Sequence, residues 1–202
     1  MVEPLSRGDE QRLIQRAKRR EPDALRHLID LHKERLFNFV WRVVRHHHDA
    51  EEICQEAFLK AFASLDSFRP EFRFSTWLFT IAYRLCLNAL RRKRAFAGDV
   101  DFSVLPGHGE PVDEGAAQSE EARRVKTLIW DSVDRLSPQQ RATVLLFYRN
   151  DQSCQEIARI LEVPVATVKS HLHRARARLR EMLEPVVAGE TDRTRILAKL
   201  AG

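Results

Sequence analysis

The stretch that decides the fold covers residues 153–180 and reads SCQEIARILEVPVATVKSHLHRARARLR. Ser153 and Glu156 have the spacing of a capping box, in which each side chain accepts a hydrogen bond from the other residue's backbone N–H, so a helix is predicted to start here. The apolar residues of this helix fall on one face: Ile157, Ala158 and Leu161. A two-residue turn follows, and Pro164 is predicted to open a second helix at its first position.

The second helix of this stretch has two different faces. One is apolar and repeats every three or four residues, through Val165, Val168, Leu172, Ala175, Leu179 and Met182. The other is polar and mostly basic, with Thr167, Lys169, Ser170, His171, His173, Arg174, Arg176 and Arg178. Such donors can reach phosphate oxygens and base edges, which favours a helix-turn-helix whose second helix enters the major groove of DNA. A helical hairpin with a solvated basic face has the same periodicity and stays open as an alternative.

Composition favours an all-α protein with two small helical domains. The chain has 202 residues, of which 44% are hydrophobic and 31% charged, enough to bury one or two small cores. Only 7 Gly and 8 Pro interrupt the long helical periods. The net charge of +5 favours a polyanionic partner without identifying it.

Cysteine usage and hydropathy predict a cytoplasmic protein. The three cysteines, Cys54, Cys86 and Cys154, have no CxxC spacing and leave one thiol over, as is typical of a reducing compartment. No secretory signal is expected, and no apolar run approaches the length needed to cross a bilayer. Cys154 falls in the first turn of a predicted helix, so it is either a reactive thiol or an inert small residue.

Residues 1–94 are predicted to form the first domain. Helices are expected over Asp9–Arg19, Ala24–Val44, Asp49–Leu65 and Ser75–Arg92, the third of them opened by a capping box of Asp49 with Glu52. His46, His47 and His48 are expected at the end of the second helix. Neighbours on a helix point about 100° apart and cannot all turn to one metal ion, so a hydrated basic helix end is the favoured interpretation.

Two surfaces of this domain could bind a partner. The third helix presents a polar face opposite its apolar side, with Glu51, Glu52, Gln55 and Glu56, and its acids either suit the helix dipole or dock a basic partner. The loop 66–73 interleaves aromatics with arginines, Phe68, Arg69, Phe72, Arg73 and then Phe74. Such rings can stack unpaired bases while cations hold the phosphates, although packing in a core is their commoner role.

Residues 95–118 are predicted to be an acidic linker. Gly and Pro remove any helical stripe there, and between Ala95 and Ala122 the sequence has seven acids and neither Lys nor Arg. The second domain is expected over 119–184, and a C-terminal tail of open role over 185–202, with Pro185 and Gly189 ending the long helix.

Three segments together resemble the sigma-70 family of bacterial sigma factors. They are DAEEICQEAFLKAFASLDSF at 49–68, FRFSTWLFTIAYRLCLNALRR at 72–92, and residues 136–183. The likeness covers about residues 25–183, and two domains joined only by a linker resemble the extracytoplasmic-function (ECF) group. The resemblance implies bacterial core RNA polymerase, promoter DNA and an anti-sigma factor as partners, with no enzymatic chemistry, cofactor or metal.

By position, the resemblance also implies roles for residues of the first domain. It gives polymerase docking to Glu52, Gln55 and Glu56. It gives recognition and melting of the minus-ten element to Phe72, Arg73, Phe74, Trp77, Arg84, Asn88 and Arg91. Housekeeping members carry a tryptophan pair where Thr80 and Ile81 stand, and its absence implies weaker melting and stricter promoter demands.

For the minus-thirty-five element the implied set is Lys169, Ser170, His171, His173 and Arg174. Related proteins often carry Arg where Lys169 and His171 stand. Lys lacks the planar fork that grips guanine bidentately, so the base preference stays open. The linker resembles the family segment that runs through the polymerase toward the RNA exit path, where its acids could occupy the place of nascent RNA.

Two other function classes fit parts of the sequence. Residues 156–172 also resemble the DNA-binding helices of response-regulator output domains, which makes a stand-alone transcription regulator the alternative, although residues 1–94 show no βαβ alternation. A metal-dependent hydrolase built on His46, His47, His48 and Cys54 would lack HExxH and a Gly-rich phosphate loop.

Overall fold

The computed structural model describes residues 6–97 and 120–187, which form two compact units that divide near residue 100. All regular structure in these ranges is helical, which confirms the all-α prediction. We number the helices in chain order: α1 Arg7–Lys18, α2 Pro22–Val44, α3 His47–Ala63, α4 Phe74–Ala97, α5 Glu120–Asp134, α6 Pro138–Val144, α7 Cys154–Leu161 and α8 Val165–Val187. The predicted linker from residue 98 onward and the predicted tail from residue 188 onward lie outside the described residues.

The core of the first unit lies between α2, α3 and α4, and α1 packs against α2. The apolar stripes of these helices meet there, and the largest fully buried side chains are Leu28, Leu36, Phe39, Leu65, Phe74, Leu78 and Phe79. Full burial of one such side chain contributes about 2 kcal/mol from the hydrophobic effect. This packing determines which faces of α3 and α4 are exposed to solvent.

The junction between α2 and α3 differs from its prediction. The helix α2 ends at Val44, and Arg45 takes a left-handed conformation with φ of 57° while its N–H donates to the Trp41 carbonyl at 2.7 Å. His46 is the N-cap of α3, because its Nδ1 accepts from the N–H of Asp49 at 3.3 Å. The cap predicted at Asp49 is therefore wrong: the chain reverses within one residue, so the three histidines begin α3 instead of ending α2.

In the second unit, α5 and α6 pack against α8. Ser137 and Gln140 form a complete capping box at the start of α6, with Pro138 in the first helical position. A π-helix over Leu145–Arg149 continues α6. The buried side chain of Asn150 closes this segment by donating from Nδ2 to the Leu145 carbonyl at 3.1 Å, where the chain turns toward α7.

The helices α7 and α8 form the predicted helix-turn-helix. The capping box is present, since the Ser153 N–H donates to Glu156 Oε2 at 2.8 Å and the Glu156 N–H donates to Ser153 Oγ at 3.2 Å. Pro164 directly precedes α8, and its carbonyl accepts from the Val168 N–H at 3.2 Å. It therefore occupies the N-cap, one position before the predicted one.

The C-terminal end of α8 corrects a second prediction. The helix continues through Pro185 to Val187, so the boundary placed at residue 184 falls inside it. A proline has helical φ and removes one hydrogen bond, the one to the carbonyl four residues earlier. So close to the end of a helix this loss does not terminate it.

Candidate functional site

The exposed face of α3 carries all three predicted docking residues and one that the sequence reasoning missed. Glu52, Gln55 and Glu56 are exposed, and Leu59 is 70% exposed. Their spacing of three, four and seven residues places them on one side of the helix, opposite the buried Ile53, Ala57 and Ala61. We call Glu52, Gln55, Glu56 and Leu59 the α3 face.

The carboxylates of the α3 face have partners within α3 itself. Glu52 Oε1 lies 3.4 Å from His48 Nε2, and Glu56 Oε1 lies 3.4 Å from Lys60 Nζ. All four side chains of these pairs are about half or more exposed, and surface contacts of this kind contribute at most about 1 kcal/mol. A partner with a better donor could therefore replace them at little cost.

An aromatic cluster supports the loop between α3 and α4. The rings of Phe68 and Phe74 lie 6.0 Å apart, and Trp77 lies 5.3 Å from Phe68. His32 joins the cluster at 5.4 Å from Phe74, and burial together with Arg35 lowers the pKa of His32 to about 4. The imidazole is therefore neutral at physiological pH and packs as a fourth ring.

Helix α1 fixes the same loop from outside. Lys18 Nζ donates to the carbonyls of Asp66 at 3.4 Å and Phe68 at 3.3 Å. Glu10 accepts a hydrogen bond from the backbone of Phe74 and lies near Arg73, while its burial raises its pKa. These contacts hold both ends of the loop and leave its tip exposed.

The structure separates the predicted minus-ten residues into three groups, in the aromatic cluster, at the loop tip and on α4. Phe74 is fully buried and Trp77 half-buried, so Phe74 supports the loop and does not face a DNA strand. This removes Phe74 from the candidate surface, because a ring inside the aromatic cluster cannot stack a base. Phe72, 37% exposed, and Arg73 lie at the exposed tip.

The remaining minus-ten candidates share one stripe of α4. Arg84, Asn88 and Arg91 are exposed and follow one another at four and three residues. We call these three residues the α4 stripe. Thr80, at the position of the family's tryptophan pair, is half-buried and donates to the Thr76 carbonyl at 2.8 Å. Its hydroxyl is thus engaged within α4.

On α8, four of the five predicted minus-thirty-five residues are exposed: Lys169, Ser170, His173 and Arg174. The fifth, His171, is half-buried, and its buried Nδ1 meets no hydrogen-bond partner among the described residues. Burial and the charge of Arg174 lower the pKa of His171. A neutral imidazole is therefore favoured at this position.

Arg176 is a basic residue of α8 whose side chain packs within the second unit. Its Nε donates to the Tyr148 hydroxyl at 2.8 Å, and its guanidinium lies 5.8 Å from the Phe147 ring centre. The predicted apolar stripe is confirmed, since Val168, Leu172, Ala175 and Leu179 are buried. Arg176 thus belongs to the packing between α8 and the π-helix.

Metal binding and membrane insertion find no support in the part of the chain that the structure describes. No group of three or more His, Cys, Asp or Glu side chains there could hold a metal ion. None of the helices described has the length and hydropathy that crossing a membrane requires.

Of the cysteines, Cys86 is buried and Cys54 is half-buried. Burial raises the pKa of the Cys54 thiol to about 12 and also raises that of Cys86.

Comparison with known proteins reproduces the two-part layout. Residues 28–96 match the family model of Sigma-70 region 2, and residues 126–179 match that of Sigma-70, region 4. The ECF RNA polymerase sigma factor SigW of Bacillus subtilis (strain 168) is 31% identical over 176 residues, which cover 84% of this chain and 94% of SigW. The ECF RNA polymerase sigma-E factor of Escherichia coli (strain K12) is 28% identical over 188 residues, which cover 88% and 96%.

Two solved structures have similar folds. The sigma factor RpoE from Bartonella quintana, in complex with the anti-sigma factor NepR, has a TM-score of 0.65 and 26% identity, covering 79% of this chain and 96% of RpoE. CnrH, in complex with the cytosolic domain of CnrY, has a TM-score of 0.64 and 22% identity, covering 87% and 97%.

Proposed function

The chain belongs to the ECF group of sigma-70 factors, and on that premise we propose how its surfaces divide the work at a promoter. An ECF sigma factor binds bacterial core RNA polymerase and directs promoter-specific initiation. We assign polymerase docking and the minus-ten element to residues 1–94, and the minus-thirty-five element to residues 119–184. Residues 95–118 would serve as the acidic connection.

The observation that carries this assignment is the opposite charge of two exposed surfaces. The α3 face bears Glu52, Glu56 and an exposed Leu59, whereas α8 exposes Lys169, His173 and Arg174. DNA repels an acidic face, so the α3 face suits a protein partner, while α8 suits a polyanion. A stand-alone regulator would leave the α3 face without a use, which favours the sigma-factor role over that alternative.

For the minus-ten element, we propose that the loop tip and the α4 stripe receive an unpaired strand. Phe72 offers an exposed ring for stacking, and Arg73 lies beside it. The α4 stripe adds two guanidiniums and an amide for phosphates and base edges. The aromatic cluster of Phe68, Phe74 and Trp77 supports this loop.

For the minus-thirty-five element, we propose that Lys169, Ser170, His173 and Arg174 enter the major groove. If Arg174 reaches a base, Arg174→Ala is expected to cost about 1–3 kcal/mol at a specific promoter. A contact to phosphate alone would weaken all sequences alike. His171 contributes as a neutral, half-buried ring at the margin of this surface.

The role proposed here is one of binding, exercised in the cytoplasm without catalysis by the chain itself. An anti-sigma factor is the expected regulator, because the similar sigma factor RpoE is in complex with the anti-sigma factor NepR by its description. The α3 face is where such a regulator would compete most directly with the polymerase. The five acids of residues 95–118 are proposed to occupy a basic channel of the polymerase.

The test combines the full chain with core polymerase and a promoter library. Template-specific transcripts are expected, and Glu56→Arg should reduce them by weakening core binding, whereas Glu34→Arg, an exposed acid of α2, should not. Binding to promoter duplex without any association with core polymerase would favour the stand-alone regulator and reject the sigma-factor role.

A further inference from the structure

An open cavity of about 690 Å³ lies in the second unit, beside the recognition helix α8. Arg135, from the turn between α5 and α6, lines it together with His173, Arg174, Arg178, Glu181 and Met182 of α8. His173 and Arg174 belong to the predicted minus-thirty-five set. Arg135 and Arg178 have no role assigned so far.

The charge of this cavity suits an anion. Three guanidiniums line it against the single carboxylate of Glu181, and Arg135, Arg174 and Arg178 are all exposed. Like charges gathered at one place repel one another, and a bound polyanion would relieve that repulsion. Guanidiniums also match the geometry of phosphate oxygens through paired N–H donors.

The backbone holds Arg135 in place before any ligand arrives. The Arg135 N–H donates to the Ser132 carbonyl at 3.2 Å. The guanidinium of Arg141 donates to the carbonyls of the two neighbouring residues, Asp134 and Leu136. Its distance to the Leu136 carbonyl is 3.1 Å. Arg141 is itself buried, so the turn that presents Arg135 is fixed from within the core.

The distance of Arg178 from the start of α8 and the flanking position of Arg135 favour a phosphate contact over a base contact. Arg178 follows Arg174 by four residues, which places it about 6 Å further along the axis of α8, on nearly the same side. Arg135 comes from a different element and approaches this helix from the flank. A helix in the major groove, about 12 Å wide, has a phosphate strand on each flank.

We propose that Arg135 and Arg178 bind phosphates of one DNA strand at the edge of the minus-thirty-five element. This proposal rests on the proposed function, because it places α8 in the major groove. Arg135 and Arg178 then fix the register of the helix, while Lys169, Ser170, His173 and Arg174 read the bases. Arg141 acts as a positioning residue for Arg135.

The test uses holoenzyme assembled from core polymerase and the full chain. Dissociation constants are measured at several salt concentrations for a promoter and for the same duplex with a scrambled minus-thirty-five element. Arg135→Ala should weaken both duplexes alike, about three- to tenfold, and lower the slope of log affinity against log salt by about one. Joint replacement of Arg135 and Arg178 by Ala should lower it by about two, and Arg135→Lys should retain most of the slope.

Arg180→Ala is the matched control, because Arg180 is exposed on α8, two residues beyond Arg178, and therefore points about 160° away from it. An unchanged affinity and slope for Arg135→Ala would overturn the inference. So would a loss confined to the promoter duplex, which would mean a base contact, or a loss of core binding alone. If holoenzyme with the unmodified chain failed to bind the promoter, the proposed function itself would fail.

Discussion

The imidazole of His32 lies 5.4 Å from the ring of Phe74, inside the aromatic cluster that supports the loop of Phe72 and Arg73. Because burial and Arg35 lower the pKa of His32 to about 4, this cluster depends on a neutral ring. Acid is therefore expected to act on the loop through a residue inside the aromatic cluster.

Lowering the pH from 7 to 4 is expected to destabilise the first unit through His32 by up to about 3 kcal/mol. The unfolded imidazole takes up a proton near pH 6.5 and the folded one only near pH 4, so stability is lost as the pH falls between these values. Urea unfolding, followed by the indole NMR signal of Trp77, measures this loss. His32→Gln should reduce the pH dependence, whereas His27→Gln, at an exposed position of the same helix, should not. Equal pH dependence in all three proteins would contradict the assignment.

Leu59→Ser is expected to weaken binding to core polymerase about tenfold and to leave folding unchanged. An apolar side chain that is 70% exposed stabilises the free protein little, but its burial at an interface contributes about 1.5–3 kcal/mol. Competition with labelled unmodified chain for core polymerase measures the affinity, and thermal unfolding checks stability. Arg26→Ser on α2 is the control. Unchanged affinity would show that Leu59 lies outside the interface.

Arg141→Leu is expected to destabilise the second unit by about 2–3 kcal/mol, because the carbonyls of Asp134 and Leu136 would lose their donor inside the protein. Chemical unfolding followed by Trp130 fluorescence measures the change. Arg149→Leu, at an exposed site of the π-helix, should cost less than about 0.5 kcal/mol. A loss of similar size in both variants would argue against the carbonyl contacts.

Cys54 and Cys86 are expected to resist alkylation at pH 8 while the protein is folded. Burial raises the pKa of both thiols, to about 12 for Cys54, so little thiolate is present. Mass spectrometry after timed exposure to iodoacetamide gives the rate at each site, with urea-unfolded chain as the reference. Labelling of the folded protein as fast as the unfolded chain would contradict this expectation.

Rules that involve residues close in sequence predicted much of the fold. Both partners of the capping box of Ser153 with Glu156 lie within four residues, so local spacing was enough to predict it. The same holds for the apolar stripe of α8, whose members repeat with the helical period. Such features depend little on the rest of the chain.

Other features depend on packing between helices and could not be predicted from local sequence patterns. His46 replaces Asp49 as the cap because Arg45 reverses the chain, and no local pattern requires that reversal. The ring of Phe74 is buried because it packs against His32 of α2 and Trp77 of α4. The local sequence around Phe72 and Phe74 does not reveal these contacts. Leu59 did carry a usable signal, since it falls three residues after Glu56 and off the buried stripe.

The length of α8, 23 residues, bears on how the protein could be controlled at a promoter. A helix of that length is about 34 Å long, and it runs from Val165 to Val187. Twisting or tilting its last turn would swing Lys169 and Arg174 through the same angle. A molecule that binds the last turns of α8 and displaces them is therefore expected to shift the proposed minus-thirty-five residues at the other end of the same helix.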